Sequence, residues 1–384
     1  MTSTRRRRPT LDVVADAVGV SRATVSNAYN RPDQLSAPLR EQVLRAAKEL
    51  GYPGPNPTAR SLATSRTGAI AVLLDTSLST AFSDPALSVT LDALARVVEP
   101  GGHALLLLPG GDPRGGPPAE RVLAAQADIA VAYSLADGTP ALDSVRERGL
   151  PLAVIDQPLL PGTARIGCQD RLGAALAARH LVELGHRRFG ILAAASRVTP
   201  GGGPLTPAQG AAAPFRDTRE RLAGYLEVLA PSAGVVVGDA GGLAAGVVVE
   251  DTADVVIEEA AGLSAESAMT GAFALLGRTP RPTALLCMSD QLALAALAVA
   301  RQLGIRVPEE LSVVGFDDTS VAGWSEPPLT TVRQDLAAKG RIAGELVLHL
   351  LAGTFPAAPT LPTLPTSPGE VPVELVVRAS TARA

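Results

Sequence analysis

The chain has 384 residues, which is long enough for two or three domains and a large core. Its two cysteines, Cys168 and Cys287, have no nearby cysteine or histidine at metal-ligand spacing, so we expect no zinc or other metal site, no cofactor and a reducing compartment. No apolar run approaches the roughly 18–20 residues that a membrane span needs, and the basic run at 5–8 is followed by aspartates instead of an apolar signal segment. These features predict a cytoplasmic protein with no membrane partner.

The charge is divided unevenly along the chain. Residues 1–66 carry 11 Lys and Arg against 5 Asp and Glu, whereas residues 67–384 carry 23 against 33. A basic head on an acidic body is expected when the head alone meets a polyanion such as nucleic acid.

Three short helices are predicted in the basic head. The apolar residues of TLDVVADAVG (10–19), VSRATVSNAYN (20–30) and SAPLREQVLRAAKELG (36–51) recur at helical spacing, with Thr10, Ser21 and Ser36 at N-cap positions. Gly19 allows a sharp turn between the first two helices. Two short helices joined by such a turn and followed by a third are typical of a helix-turn-helix, which we place at 1–53.

The outward face of the second helix suits readout of DNA bases. Arg22 can donate two hydrogen bonds to guanine and Asn27 can bond adenine, while Ala23 is small enough to approach a thymine methyl group. The hydroxyls that can bond phosphate at the start of this helix are Ser21, Thr24 and Ser26. A three-helix bundle that binds another protein explains the same helical pattern and stays open at this point.

A proline-rich connector follows at 54–67. Pro55 and Pro57 prevent a long helix there, yet Leu62 is a large apolar residue between Arg60 and Arg66 with no apolar periodicity around it. The simplest interpretation is that Leu62 packs on the domain that follows.

The remainder of the chain alternates apolar strands with helices. The predicted strands are AIAVLL (69–74), ALLLL (104–108), DIAVAY (128–133), PLAVID (151–156), RFGILA (188–193), TALLCM (283–288) and LSVVGF (311–316). Helices are predicted between strands, for example at 85–99, 170–185 and 290–304. Such repeats predict doubly wound parallel sheets, and about ten strands suggest two of them. Ligands on this architecture bind at the carboxyl ends of the strands, here in the cleft between two lobes.

Polar side chains stand at those carboxyl ends. Asp156, Ser289 and Asp317 each follow a strand, and Arg221 and Gln334 add a cation and an amide. Such a set suits a polyhydroxylated ligand such as a sugar. The neighbouring acids have simpler interpretations, because Asp290 can cap its helix and Asp318 can cap a turn.

The head resembles the DNA-binding domain of the lactose-repressor and purine-repressor family of bacterial transcription regulators. The resemblance rests on TVS (24–26) within VSRATVS, on Asn30 that closes this stretch, and on ELGY (49–52). It implies that Arg22, Ala23 and Asn27 read bases and that Asn30 joins the phosphate contacts. It also implies that the linker folds into a short helix on the operator, with Leu62 as a wedge in the minor groove and Ala59 beside it.

The body resembles the same family in segments such as VELGHRRFGIL (182–192), RLAGY (221–225) and PPLTTVRQD (327–335). The implied fold of 68–384 is like that of periplasmic sugar-binding proteins, with one lobe at about 69–166 plus 335–362 and the other at about 167–333 plus 363–384. The effector residues carried over by position are Phe82, Asp84, Asp156, Arg221, Ser289, Asp317 and Gln334. The resemblance further implies a homodimer.

These observations predict a regulator that binds a pseudo-palindromic DNA operator, most often as a repressor in this family, and responds to a small effector, most simply a sugar. The Gly-, Pro- and Ala-rich stretch 196–218 and the weakly patterned stretch 231–262, which lacks the aromatic residue that often stacks on sugar, depart from the family. Two other functions stay open: a sugar-binding module whose head serves another partner, and a hydrolase or isomerase that depends on Asp317 or Asp290.

Overall fold

The computed structural model describes residues 9–54, 61, 66–112, 115–198, 201–229, 255–262, 264–354 and 369–384. The chain forms two compact units, Met1–Thr67 and Gly68–Ala384. In the described part of the chain, no helix is long and apolar enough to cross a membrane.

In residues 9–54 of the first unit, three α-helices surround a small core. They are α1 (Leu11–Val18), α2 (Arg22–Asn30) and α3 (Ala37–Glu49). Gly19 makes the turn between α1 and α2 with a φ of 73°, a conformation that glycine adopts without steric cost. The buried side chains come from the predicted apolar faces: Val14, Ala15, Val25, Ala28, Val43 and Ala47.

All three predicted N-cap positions are confirmed, but only the Ser21 side chain of α2 makes a capping hydrogen bond. The Ser21 hydroxyl accepts a hydrogen bond from the Thr24 backbone N–H at 3.0 Å. Thr10 and Ser36 stand at the N-cap positions of α1 and α3 with extended backbones, but neither side chain accepts a backbone hydrogen bond. These two helices therefore begin at the predicted residues without a side-chain cap.

The second unit begins with a first lobe of alternating strands and helices. Its elements in chain order are β1 (Ala69–Leu74), α4 (Leu78–Phe82), α5 (Pro85–Val98), β2 (Ala104–Leu108), α6 (Ala119–Ala124), β3 (Ile129–Tyr133), α7 (Pro140–Glu147), β4 (Leu152–Ile155) and β5 (Ala164–Cys168).

A second lobe of the same type follows. It contains α8 (Asp170–Glu183), β6 (Phe189–Ala193), β7 (Gly203–Pro204), α9 (Pro207–Ala211), α10 (Arg216–Leu229), β8 (Val255–Glu259), α11 (Ala265–Leu276), β9 (Ala284–Cys287), α12 (Asp290–Gln302), β10 (Ser312–Asp317), α13 (Ser320–Trp324) and β11 (Thr330–Gln334). The chain then continues through α14 (Leu336–Leu351), β12 (Glu370–Val371) and β13 (Val373–Val376).

Each lobe has one sheet. The first sheet has the order β12-β5-β4-β3-β1-β2, and all of its strand pairs are parallel. The second has the order β13-β11-β10-β9-β6-β8-β7, parallel except for β13 and β7 at its two edges. The two predicted doubly wound sheets are confirmed.

The chain passes between the lobes three times, after β5, after β11 and after β12. The last crossing lies later than predicted. Glu370–Val371 pairs with β5 in the first sheet, so the assignment of all of 363–384 to the second lobe was wrong. Only from Val373 onward does this segment join the second sheet, where β13 pairs with β11. A strand of two residues carries too little pattern to be recognised in the sequence.

Both lobes use a glycine to bring two helices into backbone contact. Gly340 of α14 lies against Thr90 and Ala93 of α5, and Gly224 of α10 lies against Arg171 and Ala174 of α8. A Cβ atom at either glycine would approach a backbone carbonyl oxygen of the facing helix more closely than van der Waals contact permits. The spacing of these helix pairs therefore depends on the missing side chain.

We expect Gly340→Ala to lower the free energy of unfolding of the core by about 1–3 kcal/mol, because the added methyl group forces α14 away from α5. Urea-induced unfolding of the full-length protein measures this loss. The matched control is Gly323→Ala in α13, where a Cβ atom meets nothing within 4 Å. Equal stability of the two variants would show that the helices can separate without cost.

Candidate functional site

The first candidate site is the outward surface of α2. Arg22 and Ala23 are exposed on its first turn, and Asn27 is half-buried one turn later. The Arg22 guanidinium lies 3.8 Å from Asp12, but both side chains are more than half exposed, so this pair offers little resistance to a new partner. Asn27 donates from Nδ2 to Gln34 Oε1 at 3.3 Å. The surface can therefore present a guanidinium and an amide to a groove.

The predicted phosphate-binding hydroxyls lie at the amino end of α2. Ser21 Oγ and Thr24 Oγ1 are 2.8 Å apart, and Ser26 is half-buried. Asn30 is the last residue of α2. The two predicted minor-groove residues, Ala59 and Leu62, lie outside the described residues.

The second candidate site is a cavity of about 290 Å³ between the two lobes of the core. Loops that follow strands of both sheets contribute to its wall, as predicted for this architecture. The wall includes six of the seven predicted effector residues: Asp84, Asp156, Arg221, Ser289, Asp317 and Gln334.

A row of hydrogen-bonded side chains runs across the cavity from one lobe to the other. Lys339, which is 1% exposed, donates from Nζ to both carboxylate oxygens of Asp156, at 2.9 and 3.0 Å, and to Gln334 Oε1 at 2.7 Å. Gln334 in turn donates from Nε2 to Asp317 Oδ1 at 2.7 Å. Asp156 follows β4 of the first lobe, whereas Asp317 ends β10 of the second. The row therefore links both lobes through Lys339.

Arg221 continues this row into the second lobe. Its Nη1 lies 3.9 Å from Asp317, its Nε donates to Asp170 Oδ1 at 2.9 Å, and its guanidinium lies 3.8 Å above the Phe316 ring. Nη1 also donates to the Met288 carbonyl oxygen. Burial opposes ionisation of Asp170, yet Arg221 holds the pKa of that carboxyl below its ordinary value. The guanidinium is thus fixed in orientation before any ligand arrives.

Two predicted effector residues also begin helices. Asp84 caps α5 by accepting from the Ala86 N–H at 2.9 Å, and Ser289 caps α12 by accepting from the Leu292 N–H at 3.2 Å. Both side chains retain acceptor or donor capacity toward the cavity, because a carboxylate has several lone pairs and a hydroxyl has one proton to give.

Asp290 does not cap α12, contrary to the simpler interpretation of its sequence position. It is fully buried and accepts from the Thr319 N–H at 2.7 Å, the Thr319 hydroxyl at 2.9 Å and the Thr331 hydroxyl at 2.5 Å. Burial raises the pKa of its carboxyl to about 6. Asp318 does not act as a turn cap either, since it pairs with Arg333 and Arg378, each at 2.6 Å.

Phe82, the seventh predicted effector residue, lies outside the cavity wall. It is the last residue of α4, and its side chain is 70% exposed. The aromatic residues of the wall are instead Tyr133, which ends β3, and Phe215, which lies in the Gly-, Pro- and Ala-rich stretch. That stretch is built around β7 and α9, with Thr206 and Gln209 forming a capping box for α9.

Sequence reasoning missed several polar residues of the wall. Lys339 could have been found, because it interrupts the apolar stripe of α14, where a lysine requires a buried partner. Asp75 directly follows β1, as Asp156 follows β4, so the same rule selects it. Neither rule selects Asp217, because it lies in the Gly-, Pro- and Ala-rich stretch 196–218 and follows no predicted strand. No group of three or more metal-ligating side chains occurs within the described ranges.

Comparison with known proteins agrees with the division of the chain into a head and a core. Residues 10–56 match the lacI family of bacterial regulatory proteins, and residues 178–381 match the periplasmic binding protein-like domain. An HTH-type transcriptional regulator of Mycolicibacterium smegmatis is 40% identical over 348 residues, which cover 89% of this chain and 90% of the relative. The chain belongs to the lacI family of bacterial transcriptional regulators.

Solved structures of lacI-family proteins share its fold. A lac repressor dimer bound to operator and the anti-inducer ONPF is 26% identical, with a TM-score of 0.72 over 98% of this chain and 100% of that one. The regulator CelR in complex with cellobiose is 27% identical, with a TM-score of 0.61 over 97% of this chain and 100% of that one. This lacI-family regulator therefore combines the predicted helix-turn-helix head with a periplasmic-binding-protein-like core.

We expect Lys339→Met to destabilise the core of this lacI-family regulator by about 3–5 kcal/mol, because Asp156 is left as a buried charge without its partner. Thermal or urea-induced unfolding measures the loss. The matched control is Arg341→Met in the same helix, which removes only an exposed pair with Glu345 and should cost less than about 1 kcal/mol. A Lys339→Met variant as stable as this control contradicts the expectation.

Proposed function

We propose that this regulator binds a pseudo-palindromic operator as a homodimer and represses transcription, and that a small polyhydroxylated effector bound between its lobes controls operator affinity. The observation that carries the proposal is the row of side chains from Asp156 through Lys339 and Gln334 to Asp317, which spans both lobes along one cavity. A ligand that bonds both ends of this row stabilises one relative arrangement of the lobes.

The effector side of the proposal rests on the chemistry of the wall. Carboxylates, an amide and a hydroxyl lie beside the apolar surfaces of Tyr133 and Phe215. Sugars present hydroxyl groups at their rims and C–H groups on their faces, which matches such a mixture of polar and apolar surfaces. The structural relative CelR was solved with cellobiose, which supports a carbohydrate.

The DNA side of the proposal rests on the exposed face of α2. Arg22, Ala23 and Asn27 would read base edges in the major groove, while Ser21, Thr24, Ser26 and Asn30 would contact phosphates. The related lac repressor was solved as a dimer on its operator. A dimer of this chain would place two such helices on successive half-sites, and the Leu62 and Ala59 pair would enter the minor groove between them.

Control by the effector follows from linkage. A ligand that favours one arrangement of the lobes changes operator affinity only if that arrangement also binds DNA differently, and the coupling acts equally in both directions. The protein would act in the cytoplasm, where the chromosome lies. The proposal includes no catalytic step for the cavity.

The DNA-binding test starts from a random double-stranded library, because the operator is unknown. We expect selection with the full-length protein to enrich a pseudo-palindrome, and the dissociation constant of this site to rise steeply between 50 and 200 mM salt, over about three decades for six phosphate contacts. Arg22→Ala should weaken binding by about 10- to 100-fold, because a bidentate pair to guanine is lost.

The control for this experiment is Arg45→Ala, which removes an exposed arginine from α3 that pairs with Glu41. It should leave operator affinity within about twofold. Leu62→Ala should weaken binding while the unfolding of the core stays unchanged. If selection enriches no sequence, or if Arg45→Ala weakens binding as much as Arg22→Ala, the head serves another partner and the operator assignment is wrong.

The effector test uses thermal unfolding of the full-length protein with neutral mono- and disaccharides, including cellobiose. A ligand at about 100 times its dissociation constant stabilises the folded state by about 2.7 kcal/mol, which raises the midpoint by a few degrees. Asp317→Ala should abolish the shift, because it removes the acceptor at one end of the row. Asp92→Ala on the exposed face of α5 is the control, and it should retain the shift. A shift that survives in Asp317→Ala places the ligand elsewhere.

A further inference from the structure

The cations in the cavity wall are already occupied by carboxylates of the protein. Lys339 pairs with Asp156, and Arg221 pairs with Asp170. Arg197, the third cation of the described wall, donates from Nη2 to Glu259 Oε2 at 2.6 Å. An anionic ligand would therefore have to compete with a protein carboxylate for each described cation.

The aspartates in the wall outnumber these cations. Four of them form no ion pair with any described residue: Asp75, Asp84, Asp217 and Asp290. Backbone N–H groups satisfy them only in part, since Asp75 accepts from the Gly116 N–H at 2.5 Å and Asp217 accepts from the Thr218 N–H at 2.7 Å. Asp290 also accepts from two threonine hydroxyls and is fully buried, so it is Asp75, Asp84 and Asp217 that keep lone pairs for a donor brought by a ligand.

Asp75 and Asp217 belong to opposite lobes. Asp75 follows β1 of the first lobe, and Asp217 lies in the first turn of α10 in the second. Burial raises the pKa of Asp75 to about 6, and the negative charge of Asp217 acts in the same direction. Burial also raises the pKa of Asp217, although the positive charge of Arg221 acts in the opposite direction. Both carboxylates line the same cavity from opposite lobes, so a ligand that donates hydrogen bonds to both of them joins the lobes.

We propose that Asp75 and Asp217 make the cavity selective for an uncharged, hydroxyl-rich ligand and exclude phosphorylated and carboxylated derivatives of the same ligand. This inference rests on the proposed function, since it assigns the chemical class of the effector in that cavity. Hydroxyl groups donate to both aspartates and so join the lobes, whereas a phosphate or carboxylate adds a further negative charge to a wall with no free described cation.

The size of the effect follows from Coulomb's law. One additional unit charge about 6 Å from an unpaired carboxylate, at an effective dielectric constant of about 20, weakens binding by roughly 100-fold. Ionic screening acts little on such a buried pair. The discrimination should therefore persist at physiological salt.

The experiment compares matched ligands on the full-length protein by calorimetric titration. The probes are glucose with glucose 6-phosphate and glucuronate, galactose with galactose 1-phosphate and galacturonate, and cellobiose with cellobionate. We expect at least one neutral sugar to bind and its anionic derivatives to bind about 100-fold more weakly. In Asp75→Asn/Asp217→Asn we expect this ratio to fall below about tenfold, because the repulsion is removed while the amides still bond hydroxyls.

The single variant Asp217→Asn keeps the test valid if the double variant fails to fold. Its ratio of anionic to neutral dissociation constants should lie between those of the wild-type protein and the double variant. Asp92→Asn, an exposed aspartate outside the cavity, should leave the ratio unchanged. Anionic derivatives that bind the wild-type protein as tightly as the neutral sugar overturn the inference, as does a ratio that is unchanged in the folded variants. If no probe binds while operator selection succeeds, the ligand class is wrong and the DNA-binding half of the proposed function stands.

Discussion

The ammonium group of Lys339 is buried in the wall of the cavity between the lobes, and the row of hydrogen-bonded side chains along this cavity depends on it. It is buried between Asp156 of the first lobe and Gln334 at the second crossing between lobes, and its donors are divided between these two side chains. Burial alone would favour a neutral lysine, but the nearby carboxylates hold the pKa of this amine above its ordinary value. Its positive charge in turn offsets the cost of burying Asp156, whose side chain is only 14% exposed.

The architecture around this ion pair explains how it is held. The α14 helix brings Lys339 and Gly340 side by side, so that the residue beside the buried cation is the one that allows close contact with α5. The second lobe has the same kind of contact, in which Gly224 of α10 packs against α8. Gly224 follows Arg221 by three residues in α10. In both lobes, therefore, a cation that reaches the cavity comes from a helix that is fixed by a glycine contact. Such rigid placement is what a binding site requires of its polar groups.

The charges of the wall connect this framework to ligand selection. Each described cation of the wall pairs with a protein carboxylate. Asp75 and Asp217 accept hydrogen bonds from backbone N–H groups and can accept further ones from a ligand in the cavity. A wall of this kind favours ligands that bring hydrogen-bond donors without negative charge. Burial raises the pKa of Asp75 and of Asp217, because removal from water disfavours the ionised form.

Much of the fold and part of the site could be predicted from the sequence. Apolar periodicity gave the three head helices and the repeated strands, and the rule that ligands meet strand ends selected Asp156, Ser289 and Asp317. The resemblance to a known family supplied Asp84, which lines the cavity, and Phe82, which lies outside the cavity wall. By itself the sequence determined the elements and their order, since these depend on local patterns. Only the tertiary structure decided which charges meet. Lys339 lies 183 residues from Asp156 in the sequence, yet the two side chains form an ion pair. Asp75 and Asp217 come from different lobes, yet both line the same cavity. Electrostatic energies depend on distances in space, which no local pattern in the chain encodes.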